Sequence, residues 1–200
     1  MNALADEIIG LYERHARAFD AVRGRSLFEK VWLDRFAALL PAGGTILDIG
    51  CGSGEPVAGY LIRRGFELTG VDASPTLISI CRQRFPARDW HIGDMRQLAL
   101  AQKFDGLVAW DSFFHLSHED QRRMFPRFRA HAAAGAALLF TSGHVHGEAI
   151  GRFHGEPLYH ASLSEEEYRS VLAENGFAVV AHIADDPECN RHTVWLARRL

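Results

Sequence analysis

The stretch that most constrains this chain is Thr45-Ile46-Leu47-Asp48-Ile49-Gly50-Cys51-Gly52-Ser53-Gly54, an apolar run that passes straight into a glycine-rich turn. The aliphatic run predicts a strand, and the three alternating glycines predict a turn with bare backbone that a ligand can approach. In open α/β sheets such a turn lies at the carboxyl end of a strand, in the crevice where ligands bind. A fold built around it requires strands alternating with crossover helices, and the chain alternates. Strand-like runs recur at 66–72, 89–92, 104–110 and 136–142, separated by helical stretches at 56–64, 75–85 and 118–132. Pro56 and Pro75 suit first-turn positions and Ser74 suits a cap.

Two helices are predicted ahead of this unit, over 3–20 and 25–40, from the spacing of Leu4, Ile8, Leu11 and Ala18 and of Leu27, Val31, Phe36 and Leu39. The last quarter breaks the alternation. A Gly- and His-rich stretch from Ser142 to His160 reads as a long loop, and Ser164 with Glu167 reads as a capping box. The helix it opens runs to about Glu174 and is stopped by Asn175-Gly176. Phe177–Ala184 and Thr193–Ala197 then read as two strands with no helix between them, hence antiparallel neighbours. The expected fold is α/β: a seven-stranded, mostly parallel sheet with helices on both faces and a C-terminal antiparallel hairpin. One domain is expected over 1–200, with 1–40 as an N-terminal helical cap.

Composition narrows the function. The 200 residues are 48% hydrophobic, enough for a full core, and the net charge is −3. That balance, with lysine only at Lys30 and Lys103, argues against a nucleic-acid partner. Cys51, Cys81 and Cys189 are scattered and odd in number, so no disulfide framework is implied and a cytoplasmic location is expected. Asp6, Glu7 and Glu13 make the start unlike a signal peptide, and no apolar run approaches the ~18 residues of a membrane span. No membrane partner is expected, and nothing fixes an oligomeric state.

Four motifs follow one another: Ile46–Gly54, then Leu68-Thr69-Gly70-Val71-Asp72-Ala73-Ser74, then Gly93-Asp94-Met95, then Phe104-Asp105-Gly106-Leu107-Val108-Ala109-Trp110-Asp111. In this order, with a terminal hairpin, the chain resembles the class I S-adenosylmethionine-dependent methyltransferases over about residues 40–200. The resemblance implies a Rossmann-like fold, S-adenosylmethionine as cofactor and S-adenosylhomocysteine as product. It implies that Gly50, Cys51, Gly52 and Ser53 lie against the amino-acid half of the cofactor, with Asp48 fixing the turn and the ammonium. Asp72, followed by Ala73 and Ser74, would accept the ribose hydroxyls, while Asp94 and Met95 would hold the adenine. Trp110 and Asp111 would lie beside the methyl group. Tyr12 and Arg23 are candidates for closing over the cofactor, Arg23 by pairing with its carboxylate.

A glycine turn with an acid ~20 positions on is also the fingerprint of an NAD(P)-dependent oxidoreductase. Glu55 counts against that reading, since a pyrophosphate would meet its charge at the helix start. The Gly-Asp-Met segment, the terminal hairpin and the lack of a Tyr-x-x-x-Lys pair count against it too. A non-catalytic S-adenosylmethionine-binding protein is the other alternative. For an acceptor that arrives protonated, His115 is the candidate base, with Asp111 orienting it or acting itself. His115, His118, His131, His144, His146, His154 and His160 crowd one third of the chain, yet no ligand spacing completes a metal set. The stretch 143–160 is expected to form an acceptor wall or lid, with Tyr159 and His160 facing inward. A small-molecule acceptor with an apolar portion would suit Trp110, Phe113, Phe114 and Phe153.

Overall fold

The structure, a computed structural model, describes residues 3–24 and 26–200. Three helices lead: α1 (Ala3–Arg14), α2 (Ala16–Val22) and α3 (Lys30–Ala37). The alternating unit follows as β1 (Thr45–Ile49), α4 (Val57–Arg63), β2 (Glu67–Asp72), α5 (Pro75–Arg84), β3 (Asp89–Ile92), β4 (Phe104–Ala109), α6 (His118–His131) and β5 (Ala132–Ser142). The chain closes with β6 (Gly147–Phe153), β7 (Glu156–Ser162), α7 (Glu165–Glu174), β8 (Phe177–Asp186) and β9 (His192–Arg199).

Seven strands form one sheet in the order β3-β2-β1-β4-β5-β9-β8. Pairings among β1 to β5 are parallel, and those of β9 with β5 and β8 are antiparallel. The strand order reverses between β1 and β4, which places a crevice above their carboxyl ends. Strand pleating sorts the core onto two faces. Leu47 and Ile49 join a cluster with Phe113, Phe125, Phe128, Phe140 and Trp195, whereas Ile46 joins Trp32, Phe36, Leu61 and Trp90 on the other face. Asp48 follows the two-residue period and shares the face of Ile46, at 3% exposure. A carboxylate inside a core strand is costly, and this one sits one step from the glycine turn.

Capping chemistry sets the helix starts as the sequence predicts at two places. The Ser74 hydroxyl accepts from the Leu77 N–H at 3.1 Å, with Pro75 in the first turn of α5. The Ser164 hydroxyl accepts from the Glu167 N–H at 3.2 Å. The Glu167 carboxylate, however, accepts from Arg122 at 2.6 Å instead of completing a capping box.

Four expectations are corrected. The predicted helix 3–20 is two helices that break at His15, and the helix 25–40 spans only Lys30–Ala37, residue 25 lying outside the described residues. The fifth strand starts at Ala132, four residues early, with a register shift opposite Phe104/Gly106. The predicted loop 142–160 is a regular hairpin, with Phe153 paired to Glu156 and Gly147 to Ser162. His154 and Gly155 form its two-residue turn, both at positive φ (48° and 85°). A primed turn needs that conformation, and His-Gly meets it without the usual Asn-Gly signal.

Candidate active site

A cleft opens above the carboxyl ends of β1, β2 and β4. Its roof is α1, α2 and the β6–β7 hairpin. Apolar packing of Ala5, Ile8 and Leu11 on Tyr159 and Ala161 joins α1 to the hairpin. Charged contacts fasten the roof to the sheet domain. Glu13 accepts from the Ser74 hydroxyl, from Thr76 Oγ1 at 2.6 Å and from the Thr76 N–H at 3.2 Å. Arg96 pairs with Asp6 at 2.6 Å, and Arg84 pairs with Asp20 at 3.0 Å while donating to the Ser53 carbonyl at 2.8 Å. His15 meets Glu156 of β7 at 2.6 Å.

The first arm of the cleft is lined by Asp72, Ala73, Ser74, Asp94 and Met95 under Ile8 and Ile9. Asp72 accepts the Gly52 N–H on one oxygen and the Ser74 N–H on the other, both at 2.9 Å. Each oxygen retains a lone pair for a ligand hydroxyl. Burial raises the Asp72 pKa. Asp94 caps the turn that follows β3 through the Arg96 N–H at 2.8 Å, and both its oxygens face the Arg96 guanidinium. Gly50 (φ +76°) does not open space for a ligand. A Cβ there would lie 2.3 Å from Ser112 Cβ, and the Ser112 hydroxyl donates to the Ile49 carbonyl at 2.7 Å. At Gly52 (φ +56°) the missing side chain makes room for the Phe19 ring of α2.

The second arm is lined by Asp48, Cys51, Ser53, Trp110 and Phe114, with Arg23, Asp111, His160 and His192 completing it. Three groups here lack hydrogen-bond partners among the described residues. Ser53 Oγ and Trp110 Nε1 are buried without a hydrogen bond, and Asp48 makes none among the described residues. Burial first, and then the Asp72 carboxylate, push the Asp48 pKa up to about 7. Burial also raises the Cys51 thiol, which is therefore no ready nucleophile.

Asp111, at φ 50°, meets His192 Nε2 at 3.0 Å and lies 3.7 Å from Arg23. His192 Nδ1 faces the Cys189 carbonyl at 2.9 Å, so both ring nitrogens meet acceptors. Burial opposes charging the ring, but the hydrogen bond and attraction from Asp111 outweigh it and raise its pKa. Arg23 also pairs, at 2.9 Å, with Glu29, which is fully buried.

His115 stands where the two arms meet, with Tyr12 beside it. Its Nδ1 lies 2.7 Å from the Tyr159 carbonyl, and its Nε2 lies 3.0 Å from the Tyr12 hydroxyl. A carbonyl only accepts, so Nδ1 carries the proton. The lone pair of Nε2 then accepts from the Tyr12 O–H. Burial lowers the His115 pKa to about 4, which keeps the ring neutral at pH 7. Burial first, with Asp111 and Asp72 adding to it, raises the Tyr12 pKa.

The structure thus brings Tyr12, Arg23, Asp48, Gly50, Cys51, Gly52, Ser53, Asp72, Ala73, Ser74, Asp94, Met95, Trp110, Asp111 and His115 to one cleft. Several expected roles change. Asp111 does not orient His115; the Tyr159 carbonyl does, and Asp111 is held by His192 and Arg23. Glu55 pairs with Arg63 at 3.1 Å. Phe113 is core, and Phe153 packs on Tyr12 and Phe19 outside the cleft lining. The Tyr159 ring is buried against α1, with its hydroxyl on Glu148 at 2.7 Å, so only His160 of that pair faces the cleft.

The other histidines disperse. His118 bonds the Gly147 and Ser162 carbonyls, and His131 accepts the Leu100 N–H. Among the described residues no group of three His, Cys, Asp or Glu side chains is placed to hold a metal ion, and no helix is long and apolar enough to cross a membrane. Sequence reasoning missed Phe19, Arg96 and His192. Each is a lone residue of its type in its segment, and only the fold carries it to the cleft.

The sequence profile of a family described as a methyltransferase domain matches residues 46–135. Magnesium-protoporphyrin O-methyltransferase of Rhodobacter capsulatus is 36% identical over 137 residues, covering 64% of this chain and 58% of that protein. An O-methyltransferase of Pyrenophora dematioidea is 28% identical over 165 residues, covering 76% and 61%. The chain therefore spans about three fifths of the length of these curated relatives. The 1,6-didemethyltoxoflavin-N1-methyltransferase of Burkholderia thailandensis, solved with its substrate and S-adenosylhomocysteine, superposes with a TM-score of 0.78 at 17% identity, covering 100% of this chain and 91% of that one. At that identity the likeness concerns the fold. The family match lies on the strands that build the cleft, so residues 46–135 of this chain are similar to a methyltransferase domain.

Proposed function

We propose that this protein transfers the methyl group of S-adenosylmethionine to a small-molecule acceptor and releases S-adenosylhomocysteine. The observation that carries the reading is the Asp48 carboxylate, buried beside the glycine turn with no hydrogen-bond partner among the described residues and a pKa pushed up to about 7. Such a group calls for a cation, and this cofactor brings an ammonium and a sulfonium to one molecule. Ser53 Oγ offers a further free contact for its amino-acid half. Asp72, with a lone pair left on each oxygen, suits the ribose diol, and Met95 with Ile8 and Ile9 makes an apolar slot for the adenine. Asp94 is tied to Arg96, so it meets the adenine amine only by sharing its oxygens. Trp110 and Asp111 would flank the methyl, and Arg23 would reach the carboxylate by loosening its hold on Asp111. Residues 1–40 act as the cap of one domain in this reading.

When bound, the cofactor supplies an activated methyl group whose sulfur leaves as a neutral thioether. The protein's own work is alignment and exclusion of water, so proximity and orientation dominate. A dinucleotide would instead bring a pyrophosphate among Asp48, Asp72, Asp94 and Asp111, where charges repel. Relatives and neighbours bear the names of oxygen and nitrogen methyltransferases alike, so the names leave the acceptor atom open.

Calorimetric titration tests the reading. S-adenosylmethionine and S-adenosylhomocysteine should bind, and NAD⁺ and NADH should not. Asp72→Asn should weaken binding about 10- to 100-fold, the worth of hydrogen bonds to a charged acceptor. Unchanged affinity in that variant removes the ribose assignment, and nicotinamide binding removes the proposal.

A further inference from the structure

We infer that the methyl acceptor is an alcohol or phenol whose proton leaves through the Tyr12 hydroxyl to Nε2 of His115. The inference rests on the methyl-transfer reading and names the acceptor class of that same site. His115 cannot meet an acceptor directly. It is 5% exposed, the Tyr159 carbonyl occupies Nδ1, and the Tyr12 hydroxyl covers Nε2, its one basic atom. Phe114 and His160 pack on the ring at 4.8 Å. Tyr12 belongs to both arms of the cleft, at their junction, and its oxygen keeps lone pairs while its proton points at His115. Tyr12 is thus the catalytic residue of the pair, and His115 is a positioning residue that acts through it.

The chemistry of this pair selects the acceptor. A relay that ends on a buried, neutral imidazole is a weak base, since burial holds the ring near pKa 4. An alkyl amine becomes an ammonium on methylation, with a pKa of about 10, and gives up no proton to such a base. A thiol must lose its proton before attack, from a pKa of about 8.5, and the relay cannot drive that either. A carboxylic acid is already ionised at neutral pH and needs no base. A hydroxyl differs from all three. Its proton is held until the new O–CH₃ bond forms, whereupon the oxygen turns cationic and yields the proton even to a weak base.

The balance closes. The acceptor oxygen forms the O–CH₃ bond as the S–CH₃ bond breaks, and that bonding pair stays on sulfur. The acceptor O–H breaks with its pair left on oxygen, its proton passes to the Tyr12 oxygen, and the Tyr12 proton passes to Nε2. The positive charge lost at the sulfonium thus reappears on His115, within the same cleft. Of the groups that face the pair, Asp111 after β4 favours a charge on His115 whereas His160 of β7 opposes it, and Asp111 with Asp72 of β2 holds the proton on Tyr12.

Two measurements test the inference. Long-range ¹H–¹⁵N spectra of the labelled protein, without cofactor, should show His115 protonated on Nδ1 alone at pH 7, in parent and Tyr12→Phe alike. Its Nε2 signal should shift in the variant. An Nε2–H tautomer or an imidazolium at pH 7 overturns the relay. Second, protein given methyl-¹³C S-adenosylmethionine and a panel of matched phenols, alcohols, alkyl amines and thiols should place label in O–CH₃ carbons, which resonate apart from N–CH₃ and S–CH₃. Tyr12→Phe and His115→Gln should each lower kcat about 10²-fold or more, with the cofactor Kd within threefold of parent. Label chiefly in N–CH₃ or S–CH₃, or a Tyr12→Phe enzyme within threefold of parent, overturns the inference. Absence of cofactor binding in the titration sinks the methyl-transfer reading instead, whatever the tautomer.

Discussion

Asp48 occupies a strand position at which a charge costs the ligand-free fold stability. Its pKa is raised by burial to about 7, so the folded state holds a proton that the unfolded chain has lost above the ordinary carboxylate range. The stability is fully present below about pH 4 and falls as pH rises through about 7. Asp48→Asn should therefore match the parent in urea unfolding at pH 4 and exceed it at pH 8, by at most about 4 kcal/mol. Cofactor binding should move the opposite way, weaker in Asp48→Asn. In the parent it should tighten as pH rises from 5 to 7, because binding a cation ionises the carboxyl and releases a proton. Titrations in two buffers of different ionisation enthalpy measure that proton; a buffer-independent heat refutes the assignment. Asp48 and Asp72 were legible in the sequence because Asp72 ends an apolar run beside a turn and Asp48 interrupts one just before the glycine turn. The reversal at Asp111 was not, because its partner His192 lies 81 positions on, in the closing strand.

The roof helix α1 has little of its own to hold it, being 12 residues long with three buried side chains. Glu13 is its main tie to the sheet domain, accepting three hydrogen bonds at the start of α5. Those bonds, chiefly from Ser74 and Thr76, hold the Glu13 pKa below its ordinary value. The tie is whole at neutral pH and is lost as pH falls through that lowered value. Glu13→Ala should speed hydrogen exchange across α1 and weaken cofactor binding about 3- to 10-fold, in line with the ~1 kcal/mol of a helix cap. Exchange in α6 and β5 should not change, and an unchanged α1 refutes the tie. Periodicity revealed α1 but not its break at His15, since apolar spacing continues through Ala16 and Ala18. The hairpin was missed for a different reason. Its two strands face α1 and solvent unequally, so their alternation is partial, and glycines at 147, 151 and 155 resemble loop chemistry.

The sheet order was readable because each alternating segment dictates its neighbour: a helix after a strand forces a right-handed crossover, and two strands without one must pair antiparallel. What no segment states alone is that α1, α2 and the hairpin converge over the switch point between β1 and β4. That convergence makes the cleft a joint between chain regions more than 100 positions apart, Tyr12 to His115 and Arg14 to Glu156. A ligand there should act on the fold through all of them together. S-adenosylhomocysteine at a hundred times its Kd should add about 2.7 kcal/mol. For a chain of 200 residues that raises Tm by roughly 5–11 °C. Hydrogen-exchange protection should concentrate in α1, α2, the glycine turn and the hairpin, because these close the cleft. The β8 edge, away from it, should be unaffected. NAD⁺ at the same concentration should leave both Tm and exchange as they were. Protection confined to β1 and β2, with α1 and the hairpin unmoved, would mean that the ligand sits in the crevice without engaging the roof. The Tyr12–His115 contact would then be an accident of packing, because only a roof that clamps the bound molecule can hold Tyr12 against an acceptor.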